Sequence, residues 1–162
     1  MDTDKFKGRN IENFKLNLLY KMTKDGSKAC DFHKLCDYKA DTITVIKTDA
    51  GTKFGGYLSV EWKSSGGDIS DKSSFLFSLD KDKIYTNTNG TVCHFAEDRG
   101  PYFAYSINVF DDFELKNKHE MRTLDHMRYS WKNFSFDYEL NNGRRYLNIS
   151  EIEVFEIINQ EK

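Results

Sequence analysis

Four groups of residues in this 162-residue chain are of types and spacings that could do chemistry. Cys30, His33 and Cys36 are three apart, as metal ligands often are. On a helix they spread over about a third of a turn, and a structural zinc site needs four closed ligands. Cys93 or His94 could supply a fourth only by folding back, so packing of the cysteines as small hydrophobes is the stronger reading and no metal is expected. Cys93-His94 also pose as nucleophile and base. Neighbours on a strand point to opposite faces and do not pair. Glu151 and Glu153, two apart on a strand, share a face. They read first as a solvated face, next as a partner surface, and only distantly as paired carboxylates for catalysis. From Lys116 to Lys132, the residues Lys116, Lys118, His119, Arg122, His126, Arg128 and Lys132 interleave with Tyr129 and Trp131, against only Glu120 and Asp125. Such a basic-aromatic run can bind phosphates and stack on bases. A solvated connection with core aromatics is the plainer reading. The sequence has no GxSxG, no phosphate-binding glycine loop and no dinucleotide fingerprint. No enzyme activity, cofactor or small-molecule substrate is therefore expected.

The elements that must position these residues read as β structure. Aromatics make up 15% of the chain, with 13 Phe and 9 Tyr, a composition that favours pleated sheets. Thr42 to Thr48 is the clearest strand, Asp49-Ala-Gly51 a hairpin turn, and Lys53 to Trp62 the return strand. Gly55-Gly56 inside that return strand mark a close approach by another strand or by Trp62. Ser64 to Ser70 reads as a Ser/Gly loop, and Phe75-Leu-Phe as a strand buried on both faces or at a sheet crossing. Asn89-Gly90 between Lys83 to Thr88 and Thr91 to Ala96 predicts a hairpin. Gly100-Pro101 predicts a turn before an aromatic strand, Tyr102 to Phe110. Glu120 to His126 could be helical, and Phe134 to Tyr138 is a strand candidate. Tyr146 to Ile158 should be the last strand. Asn10 to Met22 fits strand or helix equally, and Ser27 could cap a short helix through Cys36. The expected fold class is mainly β (α+β): a two-sheet antiparallel β-sandwich flanked by short helices. Its expected extent is residues 13–158, after a polar segment 1–12 and before a tail 159–162.

A net charge of -2 argues mildly against a dedicated nucleic-acid domain. The polar start carries no signal peptide, and no apolar run is long enough to insert in a membrane. Three cysteines read as reduced thiols, so a cytoplasmic location is expected, with the nucleus also open.

Several pieces in order resemble the TLDc family: Leu18-Leu-Tyr-Lys-Met-Thr-Lys-Asp-Gly26, Phe32-His-Lys-Leu-Cys-Asp37 and Thr42-Ile-Thr-Val-Ile-Lys47. They continue with Phe54-Gly-Gly-Tyr57 followed by Trp62, Asp71 before Phe75-Leu-Phe-Ser-Leu79, Gly100-Pro-Tyr-Phe103, Asn133-Phe134 and Ser150-Glu-Ile-Glu-Val-Phe155. The resemblance implies the same β-sandwich and protection against oxidative damage. It also implies a protein partner such as the vacuolar proton-pumping ATPase, and no established catalysis. Ala104, Ser106 and the stretch Lys116 to Lys132 depart from the family pattern. The partner surface is expected at Glu61, Asp71, Arg99, Glu151 and Glu153. The alternative, a DNA-binding stress-responsive regulator, would use Lys116, Lys118, Arg122, Arg128 and Lys132.

Overall fold

Thr42–Thr48 (β2) alternates buried Thr42, Thr44, Ile46 and Thr48 with more open Ile43, Val45 and Lys47, as a strand with one face on a core must. The computed structural model containing it describes residues 14–88, 90–103, 106–116, 118–121 and 131–159. A strand at Phe14–Lys21 (β1) leads into two short helices, Met22–Asp25 (α1) and Ala29–Cys36 (α2). After β2 come Lys53–Leu58 (β3), Gly67–Ser70 (β4), Phe75–Ser78 (β5), Lys83–Thr86 (β6), Thr91–Phe95 (β7), Arg99–Phe103 (β8), Ile107–Phe110 (β9) and His119–Met121 (β10). A 3-10 turn at Glu139–Asn141 precedes Tyr146–Leu147 (β11) and Ile149–Asn159 (β12). Six strands form one antiparallel sheet in the order β1-β12-β2-β3-β5-β6. Four form a second, β11-β10-β9-β8, and β4 pairs with β7 in a ribbon. The expected mainly-β, two-sheet architecture with short helices is what the chain adopts.

One core joins these layers. Tyr20, Ile46, Phe54, Leu76, Tyr85, Ile152 and Val154 of the large sheet meet Phe103, Ile107, Val109 and Leu147 of the smaller one, with Phe32 and Cys36 of α2 and Trp62 between. Gly56 shows why a glycine is needed here. A Cβ on it would lie 2.5 Å from the Phe103 ring, so Phe103, not Trp62, is the group that approaches. At Gly55 a Cβ would lie 1.8 Å from the Thr44 carbonyl oxygen of the neighbouring strand. Trp62 is buried, donates its indole N–H to Thr42 Oγ1 at 2.8 Å, and packs edge-on to Phe32 and Phe103. A second apolar cluster, Tyr57, Phe75 and Phe77 with Ile43, Val45, Ile84 and Ile157, occupies the opposite face of the large sheet.

Several local expectations are corrected. Asn89-Gly90 does not join a hairpin: β6 pairs with β5 and β7 pairs with β4. Gly90 is left-handed (φ 85°), and its carbonyl accepts from Asp71 N at 2.6 Å, so the turn crosses between sheets. The loop expected at Ser64 to Ser70 contains β4. Gly100-Pro101 lie inside β8, where the ladder shifts between Arg99 and Tyr102. That irregularity accommodates a proline with no N–H to donate. The aromatic stretch after it breaks into β8 and β9, and β3 stops at Leu58 rather than Trp62. Phe134 to Tyr138 is not a strand, because Asn133 and Tyr138 take left-handed backbone (φ 77° and 56°). Trp131, Lys132 and Asn133 instead run beside β6, where Lys132 N donates to Thr86 O at 2.8 Å and Asn133 Nδ2 to Ile84 O at 3.2 Å. This covers a sheet edge that would otherwise template pairing. Glu120 and Met121 belong to β10, and residues 122–130 lie outside the described set. Ser27 does not cap α2. Lys28 holds that position, the Asp31 carboxylate accepts its N–H, and Asp111 from beyond β9 accepts Ala29 N at 2.7 Å. The Ala29 N–H in turn holds the Asp111 carboxyl below the usual carboxylate range, against the opposing effect of burial.

Candidate functional site

β12 pairs with β2 in regular register except between Ile149 and Glu151, where the ladder shifts around Ser150. Bulges of this kind re-aim side chains. Here Ser150 Oγ donates to Lys47 O at 3.1 Å. Beyond the shift, Glu151 stands across from Lys47 and Glu153 across from Val45, while Lys21 of β1 stands across from Glu153 on the other side. Together Lys21, Val45, Lys47, Lys53, Ser150, Glu151 and Glu153 line an open cleft of 370 Å³. Glu151 and Glu153, expected to share a face, do so.

Their carboxylates face inward to this chain. Glu151 Oε1 accepts Thr23 N and Ile152 N, each at 3.1 Å. Its Oε2 accepts Thr23 Oγ1 at 2.5 Å and lies 3.4 Å from Lys21 Nζ. Burial works to raise the Glu151 pKa, yet the Thr23 hydroxyl and amide and the Lys21 ammonium outweigh it and hold it below the ordinary carboxylate value. Lys21 also donates to Glu153, and that bond raises the ammonium above its usual range. A carboxylate held ionised by this many donors is a poor proton carrier, so the geometry suits an anchored charge arrangement rather than acid-base work.

The other predicted partner residues do not join this cleft. Glu61 is exposed just before Trp62. Arg99 begins β8 and lays its guanidinium over the rings of Phe110 and Tyr102, at 4.8 and 5.6 Å. Asp71 is buried: it is 5% exposed, and its carboxylate accepts Ser59 N at 2.6 Å, Ser59 Oγ at 2.8 Å and Ser73 N at 2.9 Å. It ties the end of β3 to the turn before β5. Of the basic set, Lys116 and Lys118 lie in the β9–β10 connection and Lys132 beside β6. Arg122 and Arg128 lie outside the described residues.

The helix residues offered for zinc have other duties. His33 Nδ1 lies 2.7 Å from Asp37 Oδ1, and Nε2 lies 3.0 Å from the Ala96 carbonyl and 2.9 Å from that of Arg99. The ring thus pins α2 to the approach to β8. Cys36 is fully buried, which pushes its thiol pKa up and leaves it a poor nucleophile. Cys30 is exposed on the rim of a second cleft, of 460 Å³, with His33, Lys34, Asp37, Tyr38, Ser64 and Glu97. Among the described residues no group of three or more His, Cys, Asp or Glu is placed to hold a metal ion. The backbone of Cys93 and His94 lies on β7, and their side chains fall outside the described set.

Lys21, Lys47 and Lys53 are not among the residues whose type and spacing suggest chemistry. A signal existed: Lys47 and Lys53 are equally spaced about Ala50 in the predicted Asp49-Ala-Gly51 hairpin, so they oppose each other, as the register shows.

Among the described residues no helix is long and apolar enough to cross a membrane. No curated protein matches the chain. A family model, that of the TLDc domain, matches residues 4–158 and so takes in every described β-strand but the last residue of β12. With the ordered pieces from Leu18 to Phe155 now seated on one sandwich, this chain belongs to the TLDc domain family.

Proposed function

We propose that this domain is a non-catalytic binding module of the oxidative-stress response, acting in the cytoplasm, and also in the nucleus, through a protein partner. The first candidate is the vacuolar proton-pumping ATPase. The observation that carries the reading is the cleft on β12, β2 and β3. It is open, and its carboxylates are already bound to Thr23 and Lys21. Lys47, Lys53 and Val45 remain to meet another surface. Family membership supports the link to oxidative stress and to protein interaction.

The test mixes the purified domain with the reassembled peripheral stalk of the proton pump at about 150 mM salt, where exposed charge pairs are strongly screened. Saturable binding without peroxide turnover is the expected result. Peroxide consumption abolished by replacing Cys36 or Cys93 would overturn the non-catalytic reading. Absence of stalk binding would remove this partner. Retention of duplex DNA at that salt, lost on Lys116→Glu, Lys118→Glu, Arg122→Glu and Arg128→Glu together, would assign the surface to nucleic acid instead.

A further inference from the structure

Like charges directly opposite on an antiparallel sheet weaken the pairing. Lys47 of β2 is nevertheless the register partner of Lys53 of β3, and both are exposed. The natural neutraliser is Glu151, across from Lys47 on its other side. Its carboxylate is turned away to Thr23 and Lys21. Glu153 is likewise engaged by Lys21. Asp80 accepts the backbone N–H of Lys53 at 2.7 Å rather than pairing its ammonium. Among the described residues, neither the Lys47 nor the Lys53 ammonium lies within 4.0 Å of a carboxylate. The cleft therefore holds two adjacent cations that repel each other, and a lining of three ammonium groups against two carboxylates. A local violation of pairing rules of this kind marks functional sites.

We propose that this cleft docks an acidic segment of a protein partner, with one carboxylate of that segment seated between the Lys47 and Lys53 ammonium groups. The lining is one positive charge in excess, which matches a single carboxylate. A phosphate dianion or a nucleic-acid backbone would bring surplus negative charge against Glu151 and Glu153. One lining residue is apolar: Val45, which belongs to the same cluster as Ile43, Tyr57 and Phe77. The segment is therefore amphipathic, with an apolar side chain on Val45 beside its carboxylate. An incoming carboxylate also removes the Lys47–Lys53 repulsion, so the partner supplies what the sheet itself lacks. The inference rests on the reading of the domain as a protein-binding module and names the chemistry of what it binds.

The experiment is amide NMR of the whole chain titrated with a blocked Leu-Glu-Leu-Glu-Leu-Glu peptide, and separately with inorganic phosphate and with duplex DNA. The expected result is saturable shifts at Val45, Lys47, Lys53, Ser150 and Glu151 with the peptide, weakened at least tenfold in the Lys47→Gln, Lys53→Gln double variant. That variant is also expected to unfold at the same temperature as the wild type or higher, because a repulsion is gone. A purely structural role for the two lysines would lower it. No saturable shift at these amides, equal shifts with phosphate or DNA, or equal peptide affinity in the double variant overturns the proposal. The stalk-binding assay separates the two readings. Stalk binding that is unchanged in the double variant sinks the cleft and leaves the module reading standing. Peptide binding without stalk binding sustains the cleft and sinks the pump as partner.

Discussion

Replacing Asp71 by Ala isolates a carboxylate that works inside the fold. Three bonds to its oxygens disappear, from Ser59 N, Ser59 Oγ and Ser73 N. The serine hydroxyl can turn to water, so two main-chain N–H groups carry most of the loss. Bonds to a charged acceptor contribute about 1.5–3 kcal/mol each when the donor is left behind, and because Ser73 is exposed its N–H recovers part of this from water, giving roughly 3–5 kcal/mol in all. At 5% exposure, solvent screening takes little from that figure. The Asp71 backbone bonds, N–H to Gly90 O and carbonyl to Ser74 Oγ and Asn87 Nδ2, survive the change but lose the anchor that orients them. For a chain of this size each kcal/mol lowers the unfolding midpoint by about 2–4 °C, so a fall of roughly 6–20 °C is expected. Urea unfolding should show the same loss with an unchanged slope. The exposed Glu61→Ala should stay within about 0.5 kcal/mol of the wild type. A loss below about 1 kcal/mol for Asp71→Ala, together with loss of partner binding, would refute the structural assignment and return Asp71 to the binding surface.

Gly56→Ala should cost about 1–3 kcal/mol by displacing the Phe103 ring, whereas Gly55→Ala, blocked by main chain at Thr44, should cost about 3 kcal/mol or more; urea midpoints of the two variants measure both. Glu139 is buried, and although burial works to raise its pKa, the Lys83 ammonium and Ser135 N–H, both at 2.6 Å, hold it below the ordinary value. Its stabilising contribution is therefore complete above the unfolded carboxyl value and fades as pH falls through the lowered folded one. Glu139→Gln should flatten that acid limb in urea midpoints taken across the range. His119 accepts Phe110 N at Nδ1 and approaches Phe113 O with Nε2, each at 3.0 Å, and burial depresses its pKa. Protonation would set a donor against Phe110 N–H. Stability should be full above the ordinary histidine value of 6.5 and decline as pH drops from there toward the lowered folded value. His119→Gln should be less stable at neutral pH yet lack that decline.

The strands legible in the sequence are those whose pattern is local. β2 was readable to the residue because Thr42 to Thr48 alternates and its turn residues sit beside it. β5 was readable because an unbroken Phe75-Leu-Phe run admits burial on both faces, which the sheet provides. The Glu151 and Glu153 pair was visible as one face of a strand. Whether those carboxylates faced a partner or their own chain was not, because Thr23 and Lys21 arrive from β1 and α1, far away in sequence. Asp71 was visible as a motif residue, but its burial depends on Ser59 reaching it from the end of β3.

By itself, then, the sequence determined the β class, the central β2–β3 hairpin and the family, since each rests on residue type or on neighbours a few positions away; the Phe103 ring that requires glycine at Gly56 comes from a distant strand. Tertiary structure alone decided which strands share a sheet. Asn89-Gly90 has the side chains of a hairpin turn, yet β6 already pairs with β5 and β7 with β4, so the turn crosses between sheets. Tyr146 to Ile158 reads as one strand, yet its first two residues pair with β10 and the remainder with β2 and β1. Strand pairing is a contact between distant segments, and the free energy that selects among pairings comes from the core they jointly bury. The same holds for the cleft: the Lys47–Lys53 opposition is written in the hairpin, but the removal of Glu151 from it required β1 to bring Lys21 alongside.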